Sequence, residues 1–175
     1  MKSIALLVTA GLLLALGAVA GACGGDGGGG LSLEEYFKQL DTAQNEVDRR
    51  FEEFFTQGEP GPDASEEDIA AFAHGVVQAF ATILGDAEGT FGDLEPPAEA
   101  EDPHNDLLEA IGDSRAALEG AEDDIPDALS LEELETFDPF AEAEDAFGRV
   151  DAACKELQTI ADDSSIDVDL ECEEE

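Results

Sequence analysis

SLEEYFKQLDTAQNEVDRRFEEFF, residues 32–55, is the stretch that decides the fold. Its apolar positions step alternately by four and three residues, with Gln44 filling one gap, and this spacing is typical of a helix in a bundle seam. Ser32 and Glu35 have the spacing of a capping box, so the helix is predicted to begin after Ser32 and to end near Gln57-Gly58. The apolar positions are Leu33, Phe37, Leu40, Val47, Phe51 and Phe54.

A second helix is predicted after Ser65, which has a weaker capping-box pattern than Ser32. Its apolar stripe runs from Ile69 to Leu84, and the glycine-rich residues 85–97 are expected to form a loop. Gly75 lies in the middle of this helix, where glycine costs about 1 kcal/mol relative to alanine. We therefore expect a second helix to cross closely at Gly75.

A third helix is predicted to begin at Pro96-Pro97 or at Asp102-Pro103, because proline suits a first helical turn. Its apolar positions include Leu107 and Leu118, and the apolar periodicity ends at residues 121–124. Ser130 predicts a short capped turn, and the fourth long helix is expected to start at Asp138-Pro139. The apolar positions of this last helix are Phe140, Ala143, Phe147, Val150, Cys154, Leu157 and Ala161.

The first 23 residues have the layout of an export signal. Lys2 is followed by an uncharged stretch at 4–20, and small residues then lead into Cys23. Gly21, Ala22 and Cys23 resemble the lipobox of bacterial lipoproteins. The resemblance implies removal of residues 1–22, a diacylglycerol and often a further acyl chain on Cys23, and a position on the extracytoplasmic face of the cell membrane. A simple cleaved signal and an uncleaved anchor helix are the alternatives.

Residues 24–30, GGDGGGG, predict a flexible tether, because glycine has no side chain to pack. The chain therefore divides into a signal peptide at 1–22, the lipidated cysteine and tether at 23–31, and an acidic helical domain at 32–175.

The charge of the chain excludes two classes of partner. Asp and Glu number 45 against 7 Lys and Arg, for a net charge of −38, and removal of the signal with Lys2 leaves −39. Nucleic acids require basic groups, so none is expected to bind, and an anionic membrane surface is excluded as an electrostatic partner. Cations, a basic envelope protein or a salty habitat would each offset the charge. Apolar residues still make up 43% of the chain, enough for a folded core.

Assigning Cys23 to lipid leaves Cys154 and Cys172 as a pair in an oxidising compartment. Cys154 lies on the apolar stripe of the fourth helix. Apolar and acidic residues alternate strictly in IDVDLEC, residues 166–172, so an extended tail would turn one apolar face toward the helices. We predict an all-α fold, an antiparallel four-helix bundle with an extended C-terminal tail held by a Cys154–Cys172 disulfide. Two free thiols are the alternative.

Two further stretches resemble small helical lipoproteins of bacteria. One is LEPP at 94–97 followed by PHNDLL at 103–108, and the other is ACKEL at 153–157 leading to IDVDLEC at 166–172. The resemblance implies a helical bundle with a tail held by cysteine. It implies no particular activity.

His74 and His104 are the two histidines, and together they are the weak candidates for ligands of a single metal ion. A di-iron site needs two Glu-x-x-His pairs on helices, and Glu101 with His104 matches the sequence pattern of one such pair. Pro103 is expected to break the helix between them. The second histidine, His74, has Ala71 three positions before it, where the pattern requires glutamate. Half the di-iron pattern is therefore missing, and we predict no cofactor.

Calcium sites are weakly indicated at most. Residues 86–91 supply three acidic or polar positions of an EF-hand loop but have Phe91 where glycine is required. Asp167, Asp169 and Glu171, followed by acidic residues 173–175, could attract divalent cations weakly and non-specifically, but a solvated acidic face is the favoured interpretation.

Catalytic motifs are absent from the sequence. There is no Gly-x-Ser-x-Gly and no phosphate-binding glycine loop. We therefore predict a lipid-anchored, non-enzymatic protein of the envelope with a binding or scaffolding role. The alternatives are a protein that binds a metal or a small solute, and an envelope hydrolase.

Overall fold

The computed structural model describes residues 31–56, 60–61, 63–134 and 136–172. The predicted signal peptide, Cys23, the tether at 24–30 and the acidic residues 173–175 lie outside the described residues. So does the predicted end of the first helix at Gln57-Gly58.

The described part of the chain is all-helical and contains no strand, which confirms the predicted class. A single 3-10 turn at Ala141–Ala143 leads into the last helix. The α-helices are α1 (Leu33–Phe55), α2 (Glu66–Gly92), α3 (Glu101–Glu122), α4 (Leu131–Leu134) and α5 (Glu144–Asp163).

Serine caps start three of these helices, as predicted. Ser32 and Glu35 exchange both capping-box hydrogen bonds at the start of α1, and Ser65 does the same with Asp68 at α2. Ser130 caps α4 in the same way through Glu133. Hydrogen bonds from the serine hydroxyl and backbone lower the pKa of each capping carboxyl. Each cap satisfies backbone N–H groups that the helix itself leaves without partners.

The predicted loop at 85–97 is wrong in its first half, because α2 continues to Gly92. Ala87 and Phe91 extend the apolar stripe beyond Leu84 and are buried. Burying a phenylalanine stabilises by roughly 2 kcal/mol, more than the cost of about 1 kcal/mol for a helical glycine such as Gly89. Burial therefore overrides local helix propensity here.

Two expectations about glycine and proline are also wrong. Gly75 is exposed, and a Cβ built there would meet nothing within 4 Å, so no helix crosses closely at that point. Pro103 does not break its helix, because α3 begins at Glu101 and accommodates Pro103 in its first turn. Pro139 precedes the 3-10 turn, so the α-helical part of the last helix starts only at Glu144.

The long helices pack in chain order: α1 on α2, α2 on α3, and α3 on α5. Direct contact between α1 and α5 is marginal at most. Tyr36, Phe37, Leu118 and Leu157 are among the largest fully buried side chains. The core is therefore continuous across three helix interfaces, while the seam between α1 and α5 stays open.

One arginine ion pair joins the helices at each of these three interfaces. Arg50 of α1 pairs with Asp86 of α2. Arg115 of α3 lies 3.3 Å from Glu88 of α2, and Arg149 of α5 lies 2.7 Å from Asp113 of α3. Three of the four arginines thus lie where acidic helices come together.

α2 is the one helix in the described ranges that is long and apolar enough to cross a membrane. Its most apolar window has a mean hydropathy of 1.3 and is 39% buried within the protein. Core helices of soluble proteins share these properties, so α2 is weak evidence for a membrane span.

Candidate functional site

The C-terminal tail, residues 164–172, folds back along α5. Ser165 adopts a left-handed conformation with a φ of 58°, and the N–H of Ile166 donates to the carbonyl of Ala161 at 2.9 Å. These two features end α5 and reverse the chain. The predicted alternation is confirmed: Leu170 is buried and Val168 partly buried, while the acidic residues between them are exposed.

Two glutamines on opposite helices hold Leu170. The carbonyl of Leu170 accepts a hydrogen bond from Nε2 of Gln44 on α1. On the α5 side, the N–H of Leu170 donates to Oε1 of Gln158 at 2.9 Å, and Nε2 of Gln158 donates to the carbonyl of Val168 at 3.0 Å. The tail therefore spans the seam that α1 and α5 leave open.

A disulfide closes the end of the tail. The Sγ atoms of Cys154 and Cys172 lie at bonding distance, with their Cα atoms 5.8 Å apart, which confirms the predicted pairing in its geometry. Glu171, just before this link, has a positive φ of 46°, which is unusual for a residue other than glycine. Its N–H donates to Oδ1 of Asp169 at 3.1 Å, so the turn is held locally.

An apolar cleft of about 350 Å³ lies between α1 and α5, beside the tail. Val47 and Phe51 line it from α1, and Phe147 and Val150 line it from α5. These four side chains belong to stripes that the sequence predicts as bundle core, yet they are only partly buried. The remaining apolar lining comes from Leu40, Leu84, Ala87, Phe91, Leu107, Ile111, Leu157, Leu170 and the Cys154–Cys172 link.

Polar groups at this cleft are few and mostly acidic. They are Gln44, Asp48, Asp151 and Glu171, and no lysine or arginine is among the described residues that line it. Partial loss of hydration raises the pKa of Asp48, and the negative charges of Glu171 and Glu52 raise it further. The cleft thus combines apolar walls with a negatively charged mouth.

Asp151 is the least satisfied of these acids. Its Oδ2 lies 2.8 Å from Nζ of Lys155 one turn along α5. Its Oδ1 is buried and has no hydrogen-bond partner. An unpartnered buried acceptor is unfavourable, so a donor brought by a ligand would stabilise it.

His104 lies elsewhere, buried between α3 and α1. Its Nδ1 is 2.9 Å from the hydroxyl of Tyr36, which is fully buried. Burial lowers the pKa of His104, so its imidazole is neutral at neutral pH. This partner was not predicted from the sequence, because nothing in the spacing links Tyr36 to a residue 68 positions away.

The described residues bring no metal site together at the predicted candidates. No group of three or more His, Cys, Asp or Glu side chains in the described ranges is arranged to hold a metal ion. His74 is partly buried on α2, and His104 already bonds to Tyr36. Glu101 is exposed at the start of α3 while His104 is buried, and residues 86–91 are helical rather than an EF-hand loop.

A second, more open groove lies at the carboxyl end of α1. Phe55 is 66% exposed there, and Phe54, Phe72 and Val76 line the same groove. Residues 57–59, which follow α1, lie outside the described part of the chain. This groove is therefore a second apolar surface, separate from the cleft, to which an apolar molecule could bind instead.

Comparison with known proteins adds no family to this geometry. No protein-family model, no curated protein and no solved structure matches the chain significantly.

Proposed function

We propose that this protein binds a small, largely apolar molecule in the cleft between α1 and α5. The cleft itself carries the proposal. Its volume of about 350 Å³ falls in the range of small-molecule sites, and its apolar walls with a few polar groups on one side have the composition of such sites. Of the functions that the sequence leaves open, binding of a small solute is the one that this geometry favours.

The proposal includes a location for the protein. The lipobox-like residues 21–23 favour a lipid on Cys23 and removal of residues 1–22. The tether at 24–30 would then hold the domain away from the extracytoplasmic face of the membrane. Mass spectrometry of the mature protein tests this part: acyl mass on Cys23 is expected, and an unmodified chain with a different start would contradict it.

We also propose the finer architecture of an antiparallel four-helix bundle with up-and-down connections. The packing of α1 on α2, α2 on α3 and α3 on α5 supports it, since sequential helices are neighbours in such a bundle. In this arrangement the cleft replaces the fourth interface, between α1 and α5.

A neutral apolar dye tests the binding proposal. N-phenylnaphthylamine has strong, blue-shifted fluorescence only in an apolar environment. The purified native protein is expected to increase the fluorescence intensity of the dye and to shift its emission maximum to shorter wavelength. Val150→Phe would place a larger ring in the cleft and should abolish the change. Thr159→Phe, which adds the same ring on the exposed side of α5, should leave it intact.

The competing groove at Phe55 is tested in the same assay. Phe55→Ser should leave dye binding unchanged, because Phe55 does not line the cleft. Far-UV circular dichroism of all three variants checks that they remain folded. Binding that persists in Val150→Phe, or that disappears only in Phe55→Ser, contradicts the proposed site.

A further inference from the structure

We infer that the cleft binds an organic cation, a molecule whose apolar body enters the cleft and whose positively charged nitrogen meets the carboxylates at its mouth. This inference rests on the proposed function and adds to it the chemical class of the ligand. Three observations on the mouth of the cleft carry it.

The first observation is the charge of the mouth. Asp48 of α1, Asp151 of α5 and Glu171 of the tail come from three separate elements and line one cleft. No basic residue is among the described residues lining it. Low-dielectric walls strengthen the attraction of such carboxylates for a cation at the opening.

The second observation is the free acceptor on Asp151. Nζ of Lys155 lies 2.8 Å from Oδ2, whereas Oδ1 is buried and has no hydrogen-bond partner in the described part of the chain. An ammonium group carries several N–H donors and no acceptor, so it matches this atom in both charge and hydrogen bonding. A neutral hydrocarbon in the cleft would leave Oδ1 without a partner.

The third observation is the position of Glu171. Its backbone is held in the left-handed region between buried Leu170 and the Cys154–Cys172 link. Its negative charge acts on Asp48, so two carboxylates repel each other at the mouth until a cation lies near them.

Other occupants fit less well. A fatty acid would bring a carboxylate to a mouth that already has three. A bare metal ion would form no favourable contacts with the apolar walls, and the described residues include no group of three ligands arranged to hold it. An apolar body with an ammonium group complements both the walls and the mouth.

Three eight-carbon ligands with different head groups test the inference. Octylammonium, octanol and octanoate are titrated into the full-length mature protein at neutral pH and low ionic strength, by calorimetry and by displacement of N-phenylnaphthylamine. Octylammonium is expected to bind at least about tenfold more tightly than octanol, the effect of one charge-assisted hydrogen bond. Octanoate is expected to bind most weakly.

Matched variants separate the mouth from the overall charge of the protein. Asp151→Asn should reduce the affinity for octylammonium about tenfold and that for octanol by less, because the hydroxyl of octanol donates one hydrogen bond but carries no charge. Asp163→Asn removes the same charge from an exposed position at the end of α5 that does not line the cleft, and it should change neither affinity. Equal losses in the two variants would overturn the role of the mouth.

The outcomes distinguish this inference from the proposed function. If the dye and octanol bind in the cleft but octylammonium binds no more tightly than octanol, the inference is wrong and the proposed function stands. If neither the dye nor any of the three ligands binds to the native protein, both are wrong.

Discussion

Tyr36 and His104 join α1 to α3 by a buried hydrogen bond of 2.9 Å. The histidine is neutral there because burial lowers its pKa, so its ring nitrogen can accept a hydrogen bond from the tyrosine hydroxyl. Both groups are polar in a core made otherwise almost entirely of aliphatic and phenyl side chains. The pair therefore contributes to stability mainly because each group provides the hydrogen-bond partner of the other in an apolar core.

Removing the hydroxyl of Tyr36 tests this role. Tyr36→Phe should lower the free energy of unfolding by about 1–3 kcal/mol, because it leaves Nδ1 of His104 buried without a partner. Urea unfolding at neutral pH measures the change. Thr82→Val, which removes an exposed hydroxyl on α2, serves as the control and should change stability little. Equal effects in the two variants would contradict the proposed pairing.

Replacement of Gly75 by alanine is expected to increase the stability of the protein. It is exposed in the middle of α2 with no neighbour near an added Cβ, so Gly75→Ala should stabilise the protein by about 1 kcal/mol. Gly85→Ala in the same helix is the matched comparison, because its Cβ would meet Cδ of Arg115 at 3.3 Å and should yield less. Thermal unfolding measures both, and a larger gain at Gly85 would contradict the placement of Arg115.

At the scale of elements, the tail is tied to α5 by one covalent link. Replacing Cys154 and Cys172 by serine should lower the free energy of unfolding by about 3 kcal/mol, because the link restricts a loop in the unfolded chain. Denaturant unfolding with and without reductant measures this. Reductant should destabilise the wild-type chain only, and an unchanged wild-type midpoint would contradict the link.

The sequence predicts the elements well where the signal is local. Serine caps at Ser32, Ser65 and Ser130 mark helix starts correctly, because the interacting residues lie three positions apart. The end of α2 is missed because the buried side chain of Phe91, a tertiary effect, overrides two glycines. Alternation in the tail also predicts its buried face, since every second residue points the same way.

The site could not be predicted in the same way. Gln44 fills a gap in an apolar stripe, and the sequence contains no signal that it bonds to Leu170, which is 126 positions away. Val47 and Phe147 have the spacing of core residues, and apolar periodicity does not distinguish a closed core from an open cleft. Only the three-dimensional arrangement shows that α1 and α5 scarcely touch each other.

Across the whole molecule, repulsion between acidic groups opposes folding. The mature chain is expected to carry −39, and the arginine pairs at the three helix interfaces are exposed, so each contributes little to stability. They reduce repulsion where helices meet and leave most of the surface negative. Solvent ions therefore have an unusually large part in the stability of this protein.

Stability should rise with salt concentration, because screening weakens the repulsion. We expect the midpoint of thermal unfolding to increase steadily when sodium chloride is added. Calcium chloride at equal ionic strength is the comparison: an equal increase indicates screening alone, and a larger one indicates binding by acidic groups. A midpoint that falls on adding sodium chloride would contradict the account.

Leu170 is held from α1 by one glutamine and from α5 by another, so the reach of two side chains fixes how far apart these helices stand. Asparagine is one methylene shorter than glutamine and carries the same amide. Gln44→Asn would therefore draw α1 toward the tail or break the hydrogen bond, whereas Leu170 itself would stay in place. If the cleft binds a ligand as proposed, side-chain length at residue 44 sets the width of its opening and the girth of the molecules that enter, and a change there alters none of the acidic residues at the mouth.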